Sequence, residues 1–109
     1  MIVSIDADWI VDRGTFHDVF AEVFGFPAGY GRNMDAWIDC MSYLGEAGEQ
    51  MTRVHAPAGG IVTLVVKNAG SLKSRCPAEY RELVECAAFV NWRLVERGKQ
   101  AVLALAFCA

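Results

Sequence analysis

Tyr30-Gly31-Arg32-Asn33-Met34-Asp35-Ala36-Trp37-Ile38-Asp39-Cys40 reads as a loop, a helix cap and the opening turns of an amphipathic helix. Asn33 is a favoured N-cap residue, because its side-chain oxygen can accept from a free backbone N–H one turn into the helix. The preceding Ala28-Gly29-Tyr30-Gly31-Arg32 carries two glycines, which suits a tight approach to the cap. Taking Asp35 as zero and stepping about 100° per residue, Met34, Trp37, Met41 and Leu44 cluster between roughly 180° and 260°. Asp35, Asp39, Ser42 and Glu46 fall within roughly 40° of zero on the same construction. Ile38 borders this acidic stripe, Cys40 flanks the apolar side as a packed thiol, and Trp37 is a core anchor.

Asp35 and Asp39 are therefore i, i+4 neighbours, and like charges at that spacing repel slightly. Asp35 lies in the first turn, where the helix dipole favours a negative charge. Asp39 lies beyond it and is the less compensated of the two, which makes it the better functional candidate. The pattern fits an ordinary solvated helix face, or a face awaiting a cationic partner.

Outward from this helix, Met1–Ile5 reads as a short strand and Asp6-Ala7-Asp8 as a turn. Over Thr15–Phe24, the residues Phe16, Val19, Phe20, Val23 and Phe24 follow the i, i+3, i+4 spacing of a core-facing helix stripe. His17 falls off that stripe and is expected at the surface or as a cap. Gly25 and Pro27 stop the helix. Gly45–Gly60 is linker-like, with room for a short helix. Ile61–Val66 is a continuous apolar run, the signature of a strand buried on both faces. Asn68–Ser71 reads as a turn. Pro77 suits a helix start, and Tyr80, Leu83, Val84, Ala87, Ala88, Val90, Leu94 and Val95 keep helical spacing to Arg97, with Gly98 as the terminating residue. Ala101–Phe107 reads as a further buried strand. Apolar strands separated by helices predict an α/β fold, a three-stranded parallel sheet packed with helices, with the Tyr30–Leu44 loop-helix exposed at one side.

At 109 residues the chain is expected to form a single domain, residues 1–109, with one modest core. A hydrophobic content of 54% against 21% charged residues argues for a folded globule. No apolar run is long enough to span a bilayer, and Met1–Asp6 lacks the basic start of a signal peptide, so the expected location is the cytoplasm, without membrane association. Cys40, Cys76, Cys86 and Cys108 show no CxxC spacing and are read as small hydrophobes in a reducing compartment. With His17 and His55 far apart, no metal site and no cofactor is implied. Residues 1–50 hold nine acidic and two basic side chains, a charge of −7, whereas residues 51–109 hold four and eight, a charge of +4. An acidic half of this kind speeds encounter with a basic partner and opposes nucleic-acid binding.

Tyr30-Gly31, Asn33, Asp35-Ala36 and Asp39-Cys40, with apolar residues at 34, 37 and 38, resemble the barstar family, the intracellular inhibitors of barnase-type microbial ribonucleases. Weaker similarity runs over nearly the whole chain, through Phe16-His17, Pro27, Glu46, the helix ending at Gly98 and the closing apolar strand. The resemblance implies a barstar-like fold and an inhibitor whose loop and acidic helix plug a ribonuclease active site. The implied contact surface is Tyr30, Gly31, Asn33, Asp35, Ile38, Asp39, Ser42 and Glu46, with Asp39 in place of the substrate phosphate and a small basic ribonuclease as partner. The chain departs from the family pattern at Gly29 and Ile38, where aromatics are expected. It departs again at Arg93 and Arg97, where acidic residues are expected, and in an added Ala47–Gly60 region. These departures keep open a barstar-like interaction module with a different, non-ribonuclease partner.

Catalysis is disfavoured. Asp39 and Cys40 point about 100° apart on the helix, and the chain has neither a phosphate-binding glycine loop nor a nucleophile elbow. No catalytic residue is assigned.

Overall fold

The computed structural model describes residues 1–109. The elements are β1 (Ile2–Asp6), α1 (Arg13–Phe24), α2 (Met34–Met41), β2 (Val62–Lys67), α3 (Ala69–Arg75), α4 (Pro77–Glu96) and β3 (Leu103–Phe107), with single 3₁₀ turns at Ala7–Trp9 and Ala47–Glu49. The three strands form one parallel sheet in the order β1-β2-β3. The α/β fold read from the sequence, a three-stranded parallel sheet packed with helices, is the fold observed.

Register places Val3, Leu64 and Leu105 side by side, and likewise Ile5, Val66 and Phe107. Ile5, Val62, Leu64, Val66 and Leu103, all on that face, are buried and join the helices in a cluster of 23 buried apolar residues. The opposite face carries Ile2, Ser4, Thr63, Val65, Lys67, Ala104 and Ala106, none of them fully buried. β2 is thus buried on one face only, and β3, an edge strand, fully buries only Leu103. A run of β-branched residues marks a central strand equally well whether one or both faces are covered, because Thr63 and Val65 tolerate half-exposure.

The helices are cut by local chemistry. α1 starts at Arg13, two residues before the expected start, because Asp12 and Thr15 form a capping box: the Thr15 N–H donates to Asp12 Oδ1 at 2.8 Å and the Asp12 N–H donates to Thr15 Oγ1 at 3.0 Å. Its end is set by Gly25, at φ +69°, where a Cβ would lie 2.7 Å from the Arg53 Cβ. α4 closes in a Schellman motif, with the Gly98 N–H donating to the Val95 carbonyl and the Lys99 N–H to that of Leu94. The expected turn at residues 68–71 is instead the start of α3, whose Ala69 and Leu72 are buried. Seven residues are too few for a periodic signal, and Asn68 enters at φ 60° without capping the helix through its side chain.

Two further expectations shift. Along α1 it is Phe16, His17, Phe20 and Phe24 that are buried, while Val23 is exposed. Along α4 it is Leu83, Ala87, Val90 and Leu94 that are buried, while Val84 and Val95 face solvent. Cys40 and Cys76 are buried as expected, but Cys108 is exposed beyond the end of β3. The Gly45–Gly60 segment is pinned to the body: the Arg53 N–H donates to the Phe24 carbonyl at 2.8 Å, the Ala56 N–H to that of Leu44 at 2.8 Å, and Thr52 is buried. No helix is long and apolar enough to cross a membrane.

Asn91 ties α4 to the edge strand. Its Oδ1 accepts from the Val102 and Leu103 N–H groups at 3.0 and 3.1 Å, and its Nδ2 donates to the Leu103 carbonyl at 2.7 Å. Asn91→Ala leaves these backbone groups without their partner, and we expect it to lower unfolding stability by about 2 kcal/mol, measured as a shift in the urea midpoint at constant m-value.

Candidate functional site

α2 projects its acidic residues because its other side is fixed. Asn33 Oδ1 accepts from the Ala36 N–H at 2.8 Å, the cap expected from the sequence. Trp37, Cys40 and Met41 are buried, which leaves Asp35 and Asp39 on the exposed side with Ile38 half-buried beside them. Gly31 is exposed, and a Cβ there would come within 3.3 Å of Asn33 Nδ2 and crowd the cap.

The loop before α2 is fastened to α1. Arg32, at φ 54°, forms an ion pair with Asp18 and donates to the Gly14 carbonyl at 3.3 Å. Tyr30 is half-buried. Its hydroxyl shares a 2.6 Å hydrogen bond with His17 Nδ1, and its ring packs against Phe26 with centroids 4.7 Å apart. Burial pushes the Tyr30 hydroxyl well above the ordinary phenol range, so it stays protonated. Only the exposed edge of Tyr30 is open to a partner.

His17 was expected at the surface and is buried, 1% exposed. The helical wheel missed it because the loop, not the sheet, covers this side of α1. The only sequence signal was its neighbour Phe16. Burial, then the nearby Arg13 and Arg32 guanidiniums, hold its imidazolium form below the ordinary histidine range, against the opposing charge of Asp18.

Ser42 does not lie on the outer acidic face, as the wheel had placed it. α2 ends at Met41, and Ser42 is buried, its hydroxyl donating to the Ile38 carbonyl at 2.6 Å. That side-chain bond competes with helix continuation. Tight turns follow, with the Tyr43 and Leu44 N–H groups donating to the Cys40 and Met41 carbonyls. Glu46, beyond these turns, therefore leaves the helical register that grouped it with Asp35 and Asp39.

Asp39 is not the uncompensated carboxylate. Arg93 Nη1 donates to Asp39 Oδ1 at 3.0 Å across the α2–α4 contact, and Lys99 Nζ donates to Glu46 Oε1 at 2.7 Å. Asp35 forms no ion pair within the chain. Arg93 lies 54 residues from Asp39 along the chain, so no local pattern brings the two together.

Neither of the two open grooves, about 320 and 550 Å³, is lined by Asp35 or Asp39, although the smaller takes in Ser42 and Glu46. A projecting carboxylate pair suits insertion into another molecule's cleft better than enclosure of a small substrate. The Cys40 thiol, raised to about 11 by burial and by the charge of Asp39, is a poor nucleophile. No group of three or more His, Cys, Asp or Glu side chains converges as a metal site.

The His17–Tyr30 pair makes the loop sensitive to acid. Because the folded His17 pKa lies below its unfolded value, the unfolded chain binds the extra proton first as pH falls. We expect stability that is unaffected by His17 above about pH 7 and that declines as pH drops through the ordinary histidine range near about 6.5. Thermal unfolding of the wild type and His17→Asn between these limits checks it: the variant is less stable at neutral pH and shows a shallower acid decline. Asp6 and Asp12, whose carboxyls are held below the usual range by the Asp8 and Thr15 backbone N–H groups respectively, act only in the lower carboxylate window.

No curated protein matches the sequence. The family model described as Barstar (barnase inhibitor) matches residues 1–106, a span that begins before β1, contains α2 with its capped loop, and ends within β3. With that coverage of nearly the whole chain, the protein belongs to the barstar family.

Proposed function

We propose that this protein is an inhibitor of a barnase-type microbial ribonuclease, acting in the cytoplasm and blocking the enzyme's active site with its acidic loop-helix, residues 30–46. The observation that carries the reading is the exposed Asp35–Asp39 pair on a capped helix in a chain of the barstar family. A ribonuclease must hold an anionic phosphate, so its site is lined with cationic and hydrogen-bonding groups. Carboxylates on a rigid helix accept charge-assisted hydrogen bonds from such groups and lose little entropy on docking. Tyr30, Gly31, Asn33 and Ile38 form the apolar and backbone surround, and Glu46 the rim. Ser42 supports α2 from beneath. The protein has no catalytic role and needs neither cofactor nor nucleic-acid contact for this function.

Asp39 reaches the partner while already held by Arg93. This bond aims the carboxylate and lowers its charge at the same time. A second reading, the same surface serving a non-ribonuclease protein, is favoured by that observation: Arg93 and Lys99 neutralise two carboxylates of the site, and Arg97 lies exposed one turn beyond Arg93.

Inhibition of a purified barnase-type ribonuclease separates the two readings. The wild type inhibits; Asp39→Ala weakens inhibition by about 100-fold or more, as expected when truncating one partner of a buried charge pair costs about 2–5 kcal/mol; Glu46→Ala, at the solvated rim, changes it less than about 5-fold. Absence of inhibition by the wild type transfers the surface to another partner. Stopped-flow association supplies a further check. Arg93→Ala unmasks Asp39, so binding speeds up at low salt and becomes more salt-dependent.

A further inference from the structure

We infer that the outward face of α4 is an interface between two copies of this chain, packed antiparallel. This interface is separate from the acidic site and does not depend on the proposed inhibition.

α4 is apolar on two sides. Leu83, Ala87, Val90 and Leu94 enter the core. A second row, Val84, Ala88, Trp92 and Val95, faces solvent, with Val84 38%, Trp92 57% and Val95 57% exposed. The spacing i, i+4, i+8, i+11 keeps this row within roughly 80° of arc over about 16 Å of helix. Phe89, 44% exposed, packs on Trp92 with ring centroids 5.6 Å apart and widens the strip. A continuous apolar strip with an aromatic centre marks an interaction surface, whereas exposed apolar residues scattered singly do not.

The charges at its ends identify the occupant. Arg81 and Glu96 are both exposed and take part in none of the chain's four ion pairs. Arg81 sits in the second turn of the helix, and Glu96 is its last residue, where the helix dipole disfavours a negative charge. The midpoint between them falls between Ala88 and Phe89. A second α4 laid antiparallel about a twofold axis there brings each Arg81 level with the Glu96 of the other copy, at both ends. Ala88, lacking bulk, leaves room at the centre for the other copy's Phe89 ring. A parallel arrangement would oppose Arg81 to Arg81 and Glu96 to Glu96. A membrane surface is a poor occupant, because Glu85 and Glu96 fall between Trp92 and Phe89 around the helix, where an anionic bilayer would need cations. Arg93, which holds Asp39, lies about 140° around the helix from Ala88, so the dimer leaves the acidic site open.

Sedimentation equilibrium up to roughly 500 µM tests this, a range suited to a small interface. The wild type is expected to show a reversible monomer–dimer equilibrium and Trp92→Glu to remain monomeric, with far-UV circular dichroism confirming that the variant is folded. Arg81→Glu and Glu96→Arg alone each weaken association about tenfold, since two symmetric pairs become repulsive, and the double variant restores it. A wild type monomeric throughout the range overturns the proposal. So does a dimer indifferent to Trp92→Glu, or a double variant no better than the single ones.

Discussion

The recognition surface depends on Trp37 packed edge-on against Phe20, ring centroids 5.5 Å apart. α2 has eight residues, too few to be stable as an isolated helix. Its persistence comes from the Asn33 cap and from burial of Trp37, Cys40 and Met41. Burying a tryptophan removes about 150–250 Å² from water, worth on the order of 4–6 kcal/mol at about 25 cal/mol per Å². That exceeds the cost of about 1–3 kcal/mol for a buried donor left unpaired, and the Trp37 Nε1–H is unpaired. Phe20 in turn contacts Phe16 and Phe24, and Phe24 leads through Phe26 to Tyr30. One aromatic ladder on α1 thereby holds both ends of the loop-helix, and the acidic residues stand on a scaffold whose stability lies elsewhere.

The four ion pairs all involve substantially exposed side chains and contribute little to stability individually. Their effect is positional. Arg32 draws the loop onto α1 through Asp18, and Arg93 aims Asp39. The charge asymmetry between the two halves of the chain is correct as arithmetic but incomplete as a picture of the surface. Folding brings Arg93 and Lys99 from the basic half against Asp39 and Glu46 of the acidic half. The field at the site is therefore more local than the division by sequence implied, and Asp35 is the carboxylate whose charge is least offset.

Much of the fold was legible because its signals are short-ranged. A β-branched apolar run marked β2 and a plain apolar run β3, Asn33 and Pro77 marked the starts of α2 and α4, and Gly98 marked the end of α4. What escaped was decided by neighbours distant in sequence. His17 looked peripheral because periodicity assumes that the sheet is the only surface a helix can face, whereas the Phe26–Tyr30 loop covers it. Ser42 looked exposed because a helical wheel carries no tertiary contacts, whereas the residue is buried with its hydroxyl turned in to the Ile38 carbonyl. α3 was too short to show a period. In the site, the choice of Asp35 and Asp39 came from spacing alone, but the partner of Asp39 came from the fold.

α4 shows why amphipathicity is an insufficient description of this chain. Its twenty residues present one row to the core, one edge to α2 through Arg93, and a third row to solvent. A helix serving three surfaces cannot carry a clean polar face, and its sequence accordingly spreads apolar residues around most of the circumference. The rows differ in what fixes them. The core row is set by close packing, where loss of a single methylene is felt. The Arg93 edge is set by reach to one carboxylate. The outer row is constrained less by the folded monomer, since Val84, Trp92 and Val95 keep 38%, 57% and 57% of their surface exposed. Large apolar side chains held partly in water there add less to monomer stability than the core row does, which is the condition under which a contact outside the single chain can act on that row.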